Sequence, residues 1–286
     1  MSDDDISIDE KRVYGAKTGT TAVFVATGVG LARVELSDDR VGEFGLVHRG
    51  GIHDVAGSNG QLAVAAEDDV RLGIGDTFRP TGFGTATAVG WHDGALHAAA
   101  DGRVARFAPD GDPTHGDLSD PVPGRWTTCC EVGEVRAIVD DTVAAADGLF
   151  RLDGDHLGLT DARDVAPAVP LAATGDGLYY LGNGWMDALP GDVRAVAAAP
   201  DGRAHAATPD ALHVRAPGSD GYGPDAWTEV DLPTPRHVVD VDYGPGVTYV
   251  VTAEGTVLAN AGNGWRDRSL GLPDARRLAV PGVALD

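Results

Sequence analysis

Leu96-His97-Ala98-Ala99-Ala100, then Asp101-Gly102, then Arg103-Val104-Ala105-Arg106-Phe107 is the stretch whose reading decides the fold. A run of small apolar residues, an acidic-glycine turn and a second apolar run make a strand–turn–strand phrase. The phrase returns at 142–146, Asp147-Gly148 and 149–152, and again at 171–174, Asp176-Gly177 and 178–181. Looser copies centre on Gly30-Leu31, Asp69-Val70, Asp210-Ala211 and Gly255-Thr256.

Spacing turns the phrase into an architecture. The second-strand apolar residues Leu31, Val70, Val104, Phe150, Tyr179, Leu212 and Val257 recur about every 38 residues, the length of one four-stranded propeller blade. Seven such units nearly exhaust the 286 residues, so the chain reads as a single domain. The 40 Gly and 17 Pro fall mainly between short apolar runs, and no stretch carries the 3.6-residue period of a long helix. The expected fold is all-β: a seven-bladed β-propeller of four-stranded antiparallel blades over 12–286, behind a disordered acidic tail at 1–11. Counts of six or eight blades stay open.

The segment 192–232 shows one blade in full. Strands at 193–199, 203–208, 212–215 and 226–232 are separated by Pro200-Asp201-Gly202, by Pro209-Asp210 and by a Gly/Pro/Asp-rich loop. Bulky residues mark the fourth strands: Phe78, Trp126, Leu157, Trp185, Trp227 and Trp265. Small residues concentrate in the first and second strands, where blades crowd the axis. Eight first-strand candidates serve seven sets of the others, because 12–16 and 277–281 both qualify. One terminal segment therefore closes the ring, and the other lies outside it or extends a blade.

The formal charge is −22, yet lysine occurs only at Lys11 and Lys17, and eight Glu are far outnumbered by Asp. Such a surface repels itself until salt screens it. This Asp-rich, Lys-poor, Ala-rich composition resembles that of salt-accumulating haloarchaeal proteins; an ordinary acidic protein is the competing reading. Duplex nucleic acid is a poor partner, because phosphate contacts need clustered Lys and Arg. The first ten residues have neither a basic nor an apolar segment of a signal peptide, and no apolar run approaches 18 residues. The adjacent Cys129 and Cys130 match no metal spacing and cannot staple distant segments, which leaves small buried thiols or a vicinal disulfide. The expected setting is the cytoplasm, without membrane contact, and the expected state a monomer.

With the blades laid out, Asp147-Gly148-Leu149-Phe150-Arg151, Asp176-Gly177-Leu178-Tyr179, and Gly-Asn-Gly-Trp at 182–185 and 262–265 resemble sialidase-like (neuraminidase-repeat) and photosystem assembly-factor propellers, as does Leu270 through Arg276. The intact Asp-box of those families is missing; Ser219-Asp220-Gly221 ahead of Trp227 is its nearest relic. The whole-chain pattern is most similar to an uncharacterised haloarchaeal propeller family. That resemblance implies the fold and assigns no activity.

An arginine recurs near the start of the first strands: Arg12, Arg136, Arg163, Arg194, Arg236 and Arg276 (or Arg277). Equivalent positions in a propeller map onto one ring, so these guanidiniums form a candidate collar for a carboxylate or phosphate. The competing reading pairs each with the acid two residues earlier: Glu134–Arg136, Asp161–Arg163, Asp192–Arg194 and Asp274–Arg276. His53, His92 and His237 fall where they can face the channel, but no histidine spacing supports a metal site. The Asp-rich insertion at 108–124 lacks the order of a calcium loop. No Gly-x-Ser-x-Gly and no Cys/His pairing supports a nucleophile, and Gly28-Val29-Gly30 precedes no helix. No catalytic residue, metal or cofactor is assigned. The chain reads as a non-catalytic binding or assembly scaffold with a protein partner. The alternative is a hydrolase or lyase with a channel-mouth Arg/His site for an anionic small molecule.

The charge reading is testable on its own. Thermal unfolding followed by circular dichroism should show the midpoint rising steadily from low to molar KCl, as screening relieves self-repulsion. A flat or falling profile contradicts it.

Overall fold

The opening phrase forms the second and third strands of a blade. Ala95–Ala100 pairs antiparallel with Arg103–Pro109, and Asp101 and Gly102 both take positive φ, of 50° and 75°. Two successive positive φ values make the primed turn whose twist matches that of the flanking strands, which is why Asp-Gly serves there. Other blades solve the same corner with threonine. The Thr27 and Thr174 hydroxyls donate to the carbonyls of Gly30 and Gly177 and accept the same glycines' N–H groups. One sequence phrase thus covers two turn constructions.

The computed structural model describes residues 20–75, 77–215, 218–233 and 237–282. They form seven four-stranded antiparallel sheets, with one short 3₁₀ turn at Pro224–Ala226. Numbered around the ring, the innermost strands are Ala275–Ala279 in blade 1, Ile52–Ser58 in blade 2, Ala88–His92 in blade 3 and Val135–Val139 in blade 4. Blades 5, 6 and 7 begin with Ala162–Ala166, Ala195–Ala198 and Val238–Gly244. Among the described residues no helix is long and apolar enough to cross a membrane.

Blade 1 is composite. The C-terminal strand pairs with Thr20–Thr27, in the register Phe24↔Ala279 and Val25↔Leu278, and Gly30–Ser37 and Arg40–Arg49 complete the sheet. The blade count is seven, and the C-terminal segment is the one that closes the ring. The competing candidate at 12–16 lies outside the described residues, as does the tail at 1–11.

The apolar core lies between blades rather than within one. Ala166, Leu171 and Leu178 of blade 5 pack with Val193, Val196 and Trp227 of blade 6. At the closing junction, Val25, Val34 and Leu278 of blade 1 join Tyr249, Val251 and Val257 of blade 7. The bulky fourth-strand residues sit at these junctions. The indole of Trp126 donates to Thr81 O (3.2 Å) and that of Trp185 to Leu157 O (2.8 Å), each reaching the preceding blade.

Leu278→Ala should lower the unfolding free energy by about 2–5 kcal/mol in a denaturant titration, since it empties space in the closing cluster. The exposed Leu181→Ala should stay within about 0.5 kcal/mol of wild type. Equal effects would mean that ring closure does not limit stability.

Candidate functional site

The innermost strands share a defect that decides where their side chains go. The ladder skips His53, Arg136, Arg163, Val239 and Arg276, each the second residue of its strand. In blades 3 and 6 the N–H groups of Thr87 and Arg194 bond the carbonyls of Ala99 and Ala207, the partners of the next residues, Ala88 and Ala195. Every blade therefore bulges at one height. A bulge adds a residue and re-aims the side chains that follow it.

Bulge side chains clasp neighbouring blades. Thr87 Oγ1 donates to Val135 O (3.0 Å), Arg136 Nη1 to Ala162 O (3.3 Å) and Arg276 Nη1 to Ile52 O (3.3 Å), in each case the first residue of the next inner strand. Four of the six arginines expected in a collar, Arg136, Arg163, Arg194 and Arg276, occupy this position. Arg136 pairs with Asp161 of the next blade at 2.5 Å rather than with Glu134. Arg163 bridges Asp161 and Asp192, Arg194 lies 3.5 Å from Asp192, and Arg276 holds Asp274 at 2.6 Å. The two arginines beside Asp161 hold its carboxyl below the usual carboxylate range. Arg12 and Arg236 lie outside the described residues, and the bulge residue of blade 7 is Val239.

The next residue in each strand is, in blade order, Arg277, Asp54, Ala88, Ala137, Asp164, Ala195 and Asp240; the three alanines pack in the clusters between blades, and the four charged side chains meet in the channel. Arg277 contributes the cation. Its guanidinium lies 3.4 Å from Asp164, 3.5 Å from Asp240 and 3.9 Å from Asp54, and it donates to Arg136 O. Each aspartate also staples two blades. Asp54, Asp164 and Asp240 accept the N–H groups of Val89, Val196 and Leu278, each in the next blade, at 2.8–2.9 Å. Asp242 does the same one step further along, accepting from Val280 N (2.9 Å). Burial pushes the Asp54 carboxyl up to about 6 against the pull of Arg277. Burial likewise raises Asp242 to about 6, and it raises Asp240 as well.

Beyond this layer the channel widens into a funnel of about 330 Å³, running to the face built by the first-to-second-strand turns. Its floor is Arg277 with Asp54, Asp164 and Asp240, its wall mostly Val, Ala and Gly, and its rim includes Ser58, Asp140 and Ala168. Trp91 also lines a second cavity of about 470 Å³ between blades 2 and 3.

The histidines serve separate contacts. His92 Nδ1 lies 2.6 Å from Asp140, a contact that raises its pKa, and His53 Nδ1 lies 3.1 Å from Arg276 Nη1. His237 lies 3.8 Å from Glu254. His205 Nδ1 lies 2.6 Å from the Tyr243 hydroxyl across the blade 6–7 junction, and burial lowers its pKa to about 4. Among the described residues no group of three His, Cys, Asp or Glu is disposed to hold a metal ion. In the insertion, Asp112 and Asp117 accept the N–H and hydroxyl groups of Thr114 and Ser119, which closes two local turns. Cys129 and Cys130 are free thiols, the second buried.

Residues 7–281 match the family model described as HVO_0234-like β-propeller, and the chain belongs to that family. No protein of curated function matches it. Solved structures share the fold at low identity. The extracellular domain of the one-component system BT4673 from B. thetaiotaomicron aligns at TM-score 0.59 and 8% identity, over 88% of this chain, which spans only 44% of that protein's chain. YCF48 bound to D1 peptide aligns at 0.53 and 11% identity, covering 90% of this chain and 86% of the other. A chain of the nidogen–laminin complex aligns at 0.50 and 14% identity, covering 91% and 98%. The propeller fold expected from the short repeats is thus shared with these structures in three dimensions.

Arg277→Met should cost about 3–5 kcal/mol at pH 8, because it strands buried carboxylates without their cation. Asp54, Asp240 and Asp242 have folded pKa values above their unfolded ones, so the folded state holds protons more tightly between about pH 4 and 7, and their contribution falls as pH rises through that window. The loss in Arg277→Met should therefore be smaller at pH 5 than at pH 8. Denaturant titrations at the two pH values read the difference, and an equal loss at both contradicts the charged layer.

Proposed function

We propose that this member of the HVO_0234-like propeller family is a non-catalytic binding or assembly scaffold, acting on a protein partner in a salt-rich cytoplasm. The observation that carries the reading is where the chemistry-bearing side chains are spent. Arg277 and the axial aspartates staple the inner strands, and the bulge arginines each pair with a carboxylate. His205 is committed to Tyr243 and His92 to Asp140.

General acid–base chemistry needs a group within reach of a bound substrate and free to exchange a proton. Among the described residues the funnel lining contains no histidine, cysteine or lysine; its floor acids accept backbone N–H groups, and Asp140 at its rim pairs with His92. An anion arriving at the bulge arginines must displace Asp161, Asp192 or Asp274, which argues against a small-molecule collar and against the hydrolase or lyase alternative. What the molecule leaves open is surface. Leu118, Val139, Leu181 and Met186 are exposed on loops and strand ends of the funnel face. Leu181 and Met186 stand on adjacent paired strands of blade 5, an apolar pair that suits a protein contact. The peptide bound to YCF48 is in keeping with this use of the fold.

The test is purification of the tagged chain from its own cells, in molar salt, with reciprocal tagging of whatever co-purifies. A stoichiometric protein partner recovered from both directions is expected. A chain that elutes alone, and that turns over an anionic substrate once purified, would overturn the reading.

A further inference from the structure

The funnel and the inter-blade cavity open on the same face and share Trp91 as a wall. Both are preformed. The Trp91 indole is fixed by donation to Ala56 O at 3.1 Å. The second cavity is lined by Leu72, Ile74, Leu96 and Phe107, with Pro113 and Thr114 of the insertion at its edge. That edge is held by Arg79, which is 1% exposed and donates to four carbonyls of the insertion, those of Pro113, His115, Asp120 and Pro121, at 2.7–3.4 Å. A loop pinned by a buried guanidinium forms a standing wall, so little ordering entropy is lost when something binds against it.

The two cavities differ in charge. The inter-blade cavity presents polar and apolar surface in about equal measure, with Trp91, Leu72, Ile74, Leu96 and Phe107 on its apolar side, and its charges, Asp93 and Arg106, balance. The funnel is not balanced. Among the described residues Asp54, Asp164, Asp240 and Asp242 face the single cation Arg277, and Asp140, paired with His92, adds a carboxylate at the rim. A low-dielectric cleft lined by an excess of one sign focuses its field on a ligand of the other.

We infer that this face docks an extended segment of a partner protein, with a lysine or arginine in the funnel and a bulky apolar side chain in the cavity across Trp91. The segment must be extended because its backbone crosses the Trp91 ridge between two separate holes, placing side chains down into each. The apolar side chain supplies the burial and the basic one the selectivity, as expected of a hot spot beside a charge-complementary pocket. This assigns a place and a partner chemistry to the binding role and rests on that reading.

The experiment is selection of a random-peptide phage library against the immobilised full chain, followed by titration of the enriched peptides by fluorescence anisotropy. Three surface variants report the location: Ala168→Arg at the funnel rim, Ile74→Glu in the cavity, and Val29→Arg on the opposite face, with folding checked by circular dichroism. Enriched peptides should pair a lysine or arginine with a bulky apolar residue. Their affinity should fall at least about tenfold, or 1.4 kcal/mol, in each of the first two variants and hold in the third. Acidic peptides, affinities blind to both Ala168→Arg and Ile74→Glu, or no enrichment at all would overturn the assignment. If that happens while a stoichiometric partner still co-purifies from cells, only the docking site is wrong. If no partner co-purifies either, the binding role falls with it.

Discussion

The guanidinium of Arg277 is the constraint on which the ring depends. It arrives on the last described strand and is, among the described residues, the sole cation of a layer whose acids come from blades 2, 5 and 7. Closing the ring and bringing a cation to the axis are therefore one event. A buried ion cluster adds little net stability over an apolar equivalent, but an incomplete one is strongly unfavourable. Its effect here falls on register. If the closing strand slipped by one residue against Thr20–Thr27, Arg276 would stand at the axis and Leu278 would leave the closing core. Charge and packing thus reject the same error.

The bulge makes this layer affordable in geometric terms. In an unbroken strand successive side chains alternate between faces. The extra residue in each inner strand lets one side chain clasp the rim while its neighbour turns to the axis. Arg276 and Arg277 are the sharpest case: adjacent, of the same type, and assigned to different tasks. The first reaches Asp274, His53 and Ile52 O, and the second meets three carboxylates on the axis. Where blades 6 and 7 meet, the pairing of His205 with Tyr243 supplies a polar clasp from the second strand instead.

Much of the fold was legible because turns and small residues repeat with the blade. The Asp-Gly phrase marks second and third strands, and the bulky fourth-strand residues fall at blade junctions as that grammar requires. Which terminus closes the ring was not legible, since 12–16 and 277–281 carry equally good patterns. The recurring arginine was visible, but its bulge geometry was not, so the partner of Arg136 was sought at Glu134 instead of in the next blade. The axial acids left a trace, an Asp-Val pair at 54–55, 164–165 and 240–241 inside apolar runs. In a chain so rich in aspartate that trace reads as surface. The Trp91 ridge has no local signature, because the funnel alone is assembled from seven stretches that meet only after folding, and the second cavity draws on others.

Salt separates the charges of this molecule into two populations. At molar ionic strength the Debye length is about 3 Å, so the exposed carboxylates of the shell scarcely act on an approaching partner. The funnel is different, because its acids are shielded from mobile ions by the blades around them. Side-chain exposure is 6–9% for the three floor acids and 17% for Arg277, so the cluster is open to a ligand that fits the channel and little else. In the salt-rich setting proposed above, the charged surface would be screened and would leave partner choice to the funnel, whose acids stand where the fold excludes the electrolyte and where blade closure required charged side chains.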